Sequence, residues 1–215
     1  MSKSKQNALQ SPVKEEQSDL LSSIKKKSIT FSIENSFTVV ANGVSGEAKV
    51  SDIPEIEKLS NVSSVYIANE YERPKAKPDM VSSGDIVQAE ETWVDGYDGT
   101  GTVVGVVDTG IDPSHKDMIL TDETEAKLSE SDVKASISTN KLPGKYHTVK
   151  VPYGYNYYDK NQEILDLGPD ASMHGMHVGG TVGANGQKES GGIKGIAPET
   201  QLLALKVFGN DAAMP

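Results

Sequence analysis

The chain has 215 residues, 36% hydrophobic and 24% charged, with no cysteine and a formal net charge of −10. That length holds one large domain or two small ones and buries a core. The lack of cysteine excludes disulfides, thiolate metal sites and a cysteine nucleophile, and the acidic balance argues against nucleic acid and anionic membrane surfaces as partners.

Residues 1–30 run against that balance, with six lysines and three acids. Ser4, Gln6, Gln10, Gln17 and the Lys25-Lys26-Lys27 run show no apolar periodicity, so the segment is expected to be a mobile polar arm. Its longest apolar stretch is Leu20-Leu21, far short of the roughly 7–15 apolar residues of a signal peptide. No signal peptide and no membrane span are therefore expected in this sequence.

Order is expected from Phe31. Ser36-Phe37-Thr38-Val39-Val40 reads as a strand, residues 52–59 as a short helix with Pro54 in its first turn and Asp52 as N-cap, and residues 62–67 as another strand. Residues 72–84 interleave Pro74 and Pro78 with charge, as an exposed linker does. A helix from Ser83 puts Ile86, Ala89 and Trp93 on one face and stops at Gly96. Asp98-Gly99-Thr100-Gly101 turns the chain into the β-branched run Val103–Asp108. Residues 112–150 read as a polar insertion with one short helix between Leu128 and Val133. A strand over residues 151–157, a helix from Ser172 to about Gly183 and a buried strand over residues 202–208 complete the pattern. Strands alternating with helices imply an α/β fold with a parallel sheet.

Two residues stand where chemistry is possible. Asp108 ends an apolar strand, at the edge of a parallel sheet where ligand crevices form, and Thr109-Gly110 turns the backbone away from it. Taken alone it reads first as a turn or N-cap aspartate. D-T-G is also the signature of aspartic proteases, which need two such carboxylates, and this chain has one. Gly99 and Gly101 precede their strand, whereas a dinucleotide-binding fingerprint follows it. His174 heads a run containing Gly175, Gly179, Gly180 and Gly183, poor helix formers that would let a thin helix lie close to a sheet. A lone histidine at a helix start is often structural, and His177 reads as structural too. Zinc between His174, His177 and Asp166 or Asp170 is weakly signalled, because H-x-x-H here lacks the glutamate of H-E-x-x-H.

Taken in order, V-V-D-T-G-I-D-P-S-H-K-D-M, V-P-Y-G-Y-N-Y, H-G-M-H-V-G-G-T-V-G-A-N-G and G-I-A-P-E-T-Q-L-L-A-L-K-V-F resemble the subtilisin-like serine proteases (subtilases), and within them the cell-envelope, lactocepin-type branch. The resemblance covers roughly residues 85–210. It implies a serine endopeptidase acting on protein or peptide substrates, with Asp108 and His174 as catalytic residues, and an extracellular or cell-wall location for the intact parent. The 66-residue spacing from Asp108 to His174 fits this branch. Asp117 resembles a calcium ligand of some subtilases, but the loop around Asn185-Gly186-Gln187 is altered, so no metal or other cofactor is assigned.

By the same resemblance, residues 31–71 look like part of a propeptide, residues 72–84 the linker where maturation would cut, and residues 85–215 the first part of the catalytic domain. The expected fold is thus an incomplete subtilase sheet flanked by helices, preceded by a partial α+β propeptide-like unit. A subtilase also needs a serine in a G-T-S-M-A-like helix start and an oxyanion asparagine, and neither motif occurs here. The one serine after His174, Ser190, lies in a polar loop. The chain is therefore expected to be an N-terminal fragment, inactive by itself. The alternatives are a degenerate gene product or a propeptide-like inhibitor or folding aid.

Overall fold

The computed structural model describes residues 3–72, 83–169 and 171–210. It divides after Glu70 into two units. Of the expected linker only Glu72, Ser83 and Gly84 fall within the described residues; Asp170, one of the weighed zinc ligands, falls outside them.

The first unit corrects the expectation of a mobile arm. Residues Lys3–Lys26 form a helix, α1. Its inner stripe is Gln10, Val13, Gln17, Leu20, Leu21 and Ile24, of which Gln17 and Ile24 are buried. Two glutamines in that stripe hide the apolar period. Gln17 is tolerated inside because its Nε2 donates to the carbonyls of Phe37, at 2.8 Å, and Gly43, at 3.0 Å, so the buried amide is not left unsatisfied.

Those carbonyls belong to an antiparallel hairpin of β1, Ser32–Phe37, and β2, Gly43–Glu47. The first strand thus lies earlier than expected, and Val39 and Val40 are exposed beyond its end. A 3₁₀ turn, Val50–Asp52, runs into α2, Ile53–Glu57, with Pro54 in its first turn. Asp52 sits at the N-cap but its carboxylate makes no capping bond. The 3₁₀ turn already supplies carbonyls there, Ile53 donating to Val50. Residues 62–67 form no strand. Tyr66 and Ile67 are 84% and 68% exposed, and β-branched residues make a strand only where a partner edge and a buried face are available.

In the second unit the helix expected from Ser83 is broken into α3, Ser83–Ile86, and α4, Ala89–Val94, because Gln88 adopts the left-handed conformation at φ 56°. The break shifts the helical phase, so Ala89 is buried while Ile86 is exposed. Trp93 keeps its anchor: its indole N–H donates to the Ile196 carbonyl at 2.8 Å, and the Lys194 ammonium lies 5.3 Å from the ring centre.

The sheet is parallel, as its apolar runs imply. Strand β3, Val103–Asp108, and strand β4, Tyr153–Asn156, flank a central β5, Gln201–Lys206. Between β3 and β4 lies α5, Glu130–Asn140, longer than expected. Its start is set by a reciprocal capping box of Ser129 and Asp132, and Val133 is its buried residue. Helix α6, His174–Gly183, connects β4 to β5 and packs on β3 and β5. The core is Val106, Ile111, Met118, Val151, Ile164, Leu202 and Ala204.

Two fully buried lysines underlie this sheet. Lys150 donates to the Pro198 carbonyl at 2.5 Å, and burial pulls its pKa from 10.5 down to about 8. The folded chain therefore releases this proton before the unfolded chain does. Between about pH 8 and pH 10.5 the unfolded state binds more protons, so stability rises with pH in that window. The expected rise is about 3 kcal/mol at most, from roughly 1.4 kcal/mol per pH unit. Urea midpoints across the window should show it in the unmodified chain and not in Lys150→Met; equal slopes in both would refute it.

Candidate active site

Parallel register brings the last residues of the three strands into line at the carboxyl edge, Asp108 opposite Lys206 and Lys206 opposite Asn156. The backbone then turns sharply at Gly110, whose φ is 140°. A Cβ there would stand 2.4 Å from the Ile164 carbonyl oxygen, so only glycine lets residues 164–166 pass so closely. Ile111 donates its N–H to that same carbonyl at 2.8 Å. The Lys206 ammonium, wholly buried, donates to the Thr109 carbonyl at 2.5 Å. The turn after Asp108 is thus held from below and from the side.

His174 begins α6, which must approach that turn very closely. A Cβ on Gly175 would lie 2.5 Å from the Gly110 oxygen and 3.1 Å from the Asp108 Cβ. One on Gly183 would lie 2.9 Å from the Thr200 Cγ2. A Cβ on Gly179 would lie 3.1 Å from the Ile111 Cδ1, so Gly175, Gly179 and Gly183 together allow close contact from one end of the helix to the other. Thr109, buried completely, accepts the Gly175 N–H on its Oγ1 at 3.0 Å. A hydroxyl on the strand end thereby holds the start of the helix.

These constraints bring His174 onto Asp108. The ring Nδ1 lies 2.8 Å from Oδ1 and 2.9 Å from Oδ2 of the carboxylate. Oδ1 also accepts the Thr109 N–H at 2.7 Å, which fixes the carboxylate plane. A carboxylate can only accept, so the proton belongs on Nδ1, and Nε2, on the opposite side of the ring, is left with its lone pair. The His174 side chain is 28% exposed and that of Asp108 12%. The arrangement is a partly exposed imidazole oriented by a partly buried carboxylate, suited to general-base chemistry.

The other candidates separate from this pair. Asp108 faces an imidazole, not a second carboxylate as an aspartic protease would need. His177 lies one turn along α6, its carbonyl accepting from the Thr181 hydroxyl at 2.8 Å. No group of three or more metal-ligating side chains occurs among the described residues, and the Asp166 carboxylate bonds to backbone N–H groups. Ser190 sits in a 3₁₀ turn, its hydroxyl donating to the Gln187 carbonyl at 3.1 Å.

The surroundings of Asp117 do not fit calcium. Its Oδ1 is taken by the Lys116 ammonium at 2.8 Å and its Oδ2 by the Ile193 N–H at 3.1 Å, whereas calcium needs six to eight oxygens around it. Three contributors to the site were not visible as such in the sequence: Thr109, Lys206 and Asp166. The first lay inside the D-T-G motif, the second was a charge in an apolar strand, and the third had no local signal beyond its carboxylate.

Comparison with known proteins shows the family of the chain. Residues 99–214 match the subtilase family. The PII-type proteinase of Lacticaseibacillus paracasei is 46% identical over 177 residues, 81% of this chain and 9% of that protein. The PII-type proteinase of Lactococcus lactis subsp. cremoris is 45% identical over the same shares. The minor extracellular protease Vpr of Bacillus subtilis is 28% identical over 194 residues, 82% of this chain and 20% of that protein. The chain spans about a tenth of the length of the first two relatives.

Proposed function

The chain belongs to the subtilase family, and from that membership we propose that Asp108 and His174 are two members of a serine-protease triad. His174 takes the proton of a nucleophilic serine through Nε2 and returns it to the leaving amine. Asp108 holds the tautomer and stabilises the imidazolium. The observation that carries this reading is the contact of Nδ1 with both carboxylate oxygens at the carboxyl edge of the sheet. The reaction of the whole protein is hydrolysis of protein or peptide substrates through an acyl-enzyme, and its place is extracellular or at the cell wall. The name of one relative, a minor extracellular protease, supports that location; recovery of the protein only from the cytosolic fraction of its source cells would refute it.

The 215-residue polypeptide itself is proposed to be inactive, since it holds neither the G-T-S-M-A-like serine element nor an oxyanion asparagine motif. Removing the nucleophile alone costs about 10⁶ in turnover in subtilisin. Purified chain incubated with casein should show no hydrolysis above that of His174→Ala. Hydrolysis that the substitution abolishes would overturn the statement of inactivity.

The same reading makes residues 31–71 propeptide-like and residues 85–215 the first part of the catalytic domain, joined at 72–84. Proline and charge in that segment disfavour pairing with other backbone. Limited proteolysis should therefore cut there first; a first cut inside β3 would count against the boundary.

A further inference from the structure

We propose that Asp166 is a positioning residue for His174, a buried carboxylate that holds the strained turn in front of α6 and so sets the height of the ring over Asp108. The proposal rests on the dyad reading above and adds to it a residue outside the triad. Asp166 is 4% exposed. Its Oδ2 accepts the N–H of Met173 at 2.9 Å and that of Ser172 at 3.2 Å. These are the two residues immediately before His174. Backbone N–H groups donating to a carboxylate make shorter, stronger bonds than neutral pairs do, and the anion also lies at the positive end of the helix dipole.

The turn needs such a restraint. Met173 is the N-cap of α6 and adopts the left-handed conformation, φ 56° and ψ 21°, with no side-chain capping bond. A residue other than glycine held there is strained and persists only where its surroundings over-determine it. Met173 is 41% exposed, so packing of its own side chain does not supply that restraint. The two bonds to Asp166 do. Without them the turn relaxes, and the first residue to move is His174.

The segment carrying Asp166 also touches the other half of the dyad. Ile164 accepts the Ile111 N–H, and a Cβ on Gly110 would lie 3.0 Å from the Asp166 nitrogen. Residues 164–166 therefore brace the turn after Asp108 through the backbone and the turn before His174 through a side chain. One short segment sets the distance between two groups 66 residues apart in sequence.

The test is NMR of the ¹⁵N-labelled 215-residue chain, reading the His174 ring nitrogens and the exchange rate of the Nδ1–H proton. The unmodified chain should show the Nδ1–H tautomer with a slowly exchanging, far-downfield proton, and Asp108→Asn should lose it. Absence of the signature in the unmodified chain, or its survival in Asp108→Asn, would sink the dyad reading itself. With that control in place, Asp166→Ala should speed exchange of the ring proton at least tenfold while the Trp93 indole resonance stays in place. Asp166→Asn keeps an acceptor oxygen and should fall between the two. Exchange in both folded Asp166 variants equal to the unmodified chain overturns the proposal. Should Asp166→Ala fail to fold, Asp166→Asn decides by the same comparison, and unfolding of both would make Asp166 a residue of global stability, which also overturns it.

Discussion

In a polypeptide that joins this segment to a nucleophilic serine and its oxyanion donor, His174→Ala is expected to lower kcat by about 10⁶, the size known for loss of the subtilisin histidine, and Asp108→Asn by about 10⁴, the size known for the same change in a chymotrypsin-type triad. The difference between the two follows from their roles. Without the imidazole no group accepts the serine proton. Without the carboxylate the base is still present but loses its preferred tautomer and the partner of its positive charge. Both substitutions should act on kcat with little change in KM, because neither side chain is proposed to bind the substrate before reaction. Steady-state kinetics on a chromogenic peptide measure this. An Asp108→Asn loss equal to the His174→Ala loss would mean that Asp108 does more than orient the ring, and a loss in KM alone for either would remove the residue from the proton transfer.

Gly175→Ala is expected to destabilise the second unit by about 2–3 kcal/mol, within the range for overpacking a tight contact. On an isolated helix the same change would add stability, since alanine is better than glycine there by about 1 kcal/mol. The clash decides the sign. The new methyl would stand 2.5 Å from the Gly110 oxygen and 2.7 Å from its nitrogen, and backbone atoms do not swing aside as a side chain does. Either α6 lifts or the turn after Asp108 moves, so the contact between His174 and Asp108 should open as well. Gly180→Ala is the control. Its Cβ would meet only the Ile193 Cδ1, at 3.7 Å, an ordinary contact, so that variant should be as stable as the unmodified chain or slightly more so. Urea unfolding of the two variants settles the matter; equal stabilities would show that the closeness of helix and turn is not needed.

Much of the second unit was legible from residue order. The β-branched run ending at Asp108 and the apolar run over residues 202–208 read as strands of a parallel sheet, and they became β3, at the edge of the described sheet with Val107 exposed, and the buried central β5. The glycines after His174 announced a helix too thin for anything but close packing. Because these signals are periodic and local, a short window of sequence carries them.

What residue order left open was decided by contacts between distant segments. Gln17 is a polar residue in the inner stripe of α1 and obscured its period, and only the carbonyls of Phe37 and Gly43 make it an interior residue. Residues 62–67 had strand composition but no partner edge. A charge in an apolar run, Lys206, proved to support the turn after Asp108. Asp166 had no motif, because its role lies in where its carboxylate points. In the second unit residue order determined which segments become strands and which helix could lie flat. The distance between Asp108 and His174 came from tertiary packing, since hydrogen bonds and steric contacts between residues far apart in the chain have no periodicity to reveal them.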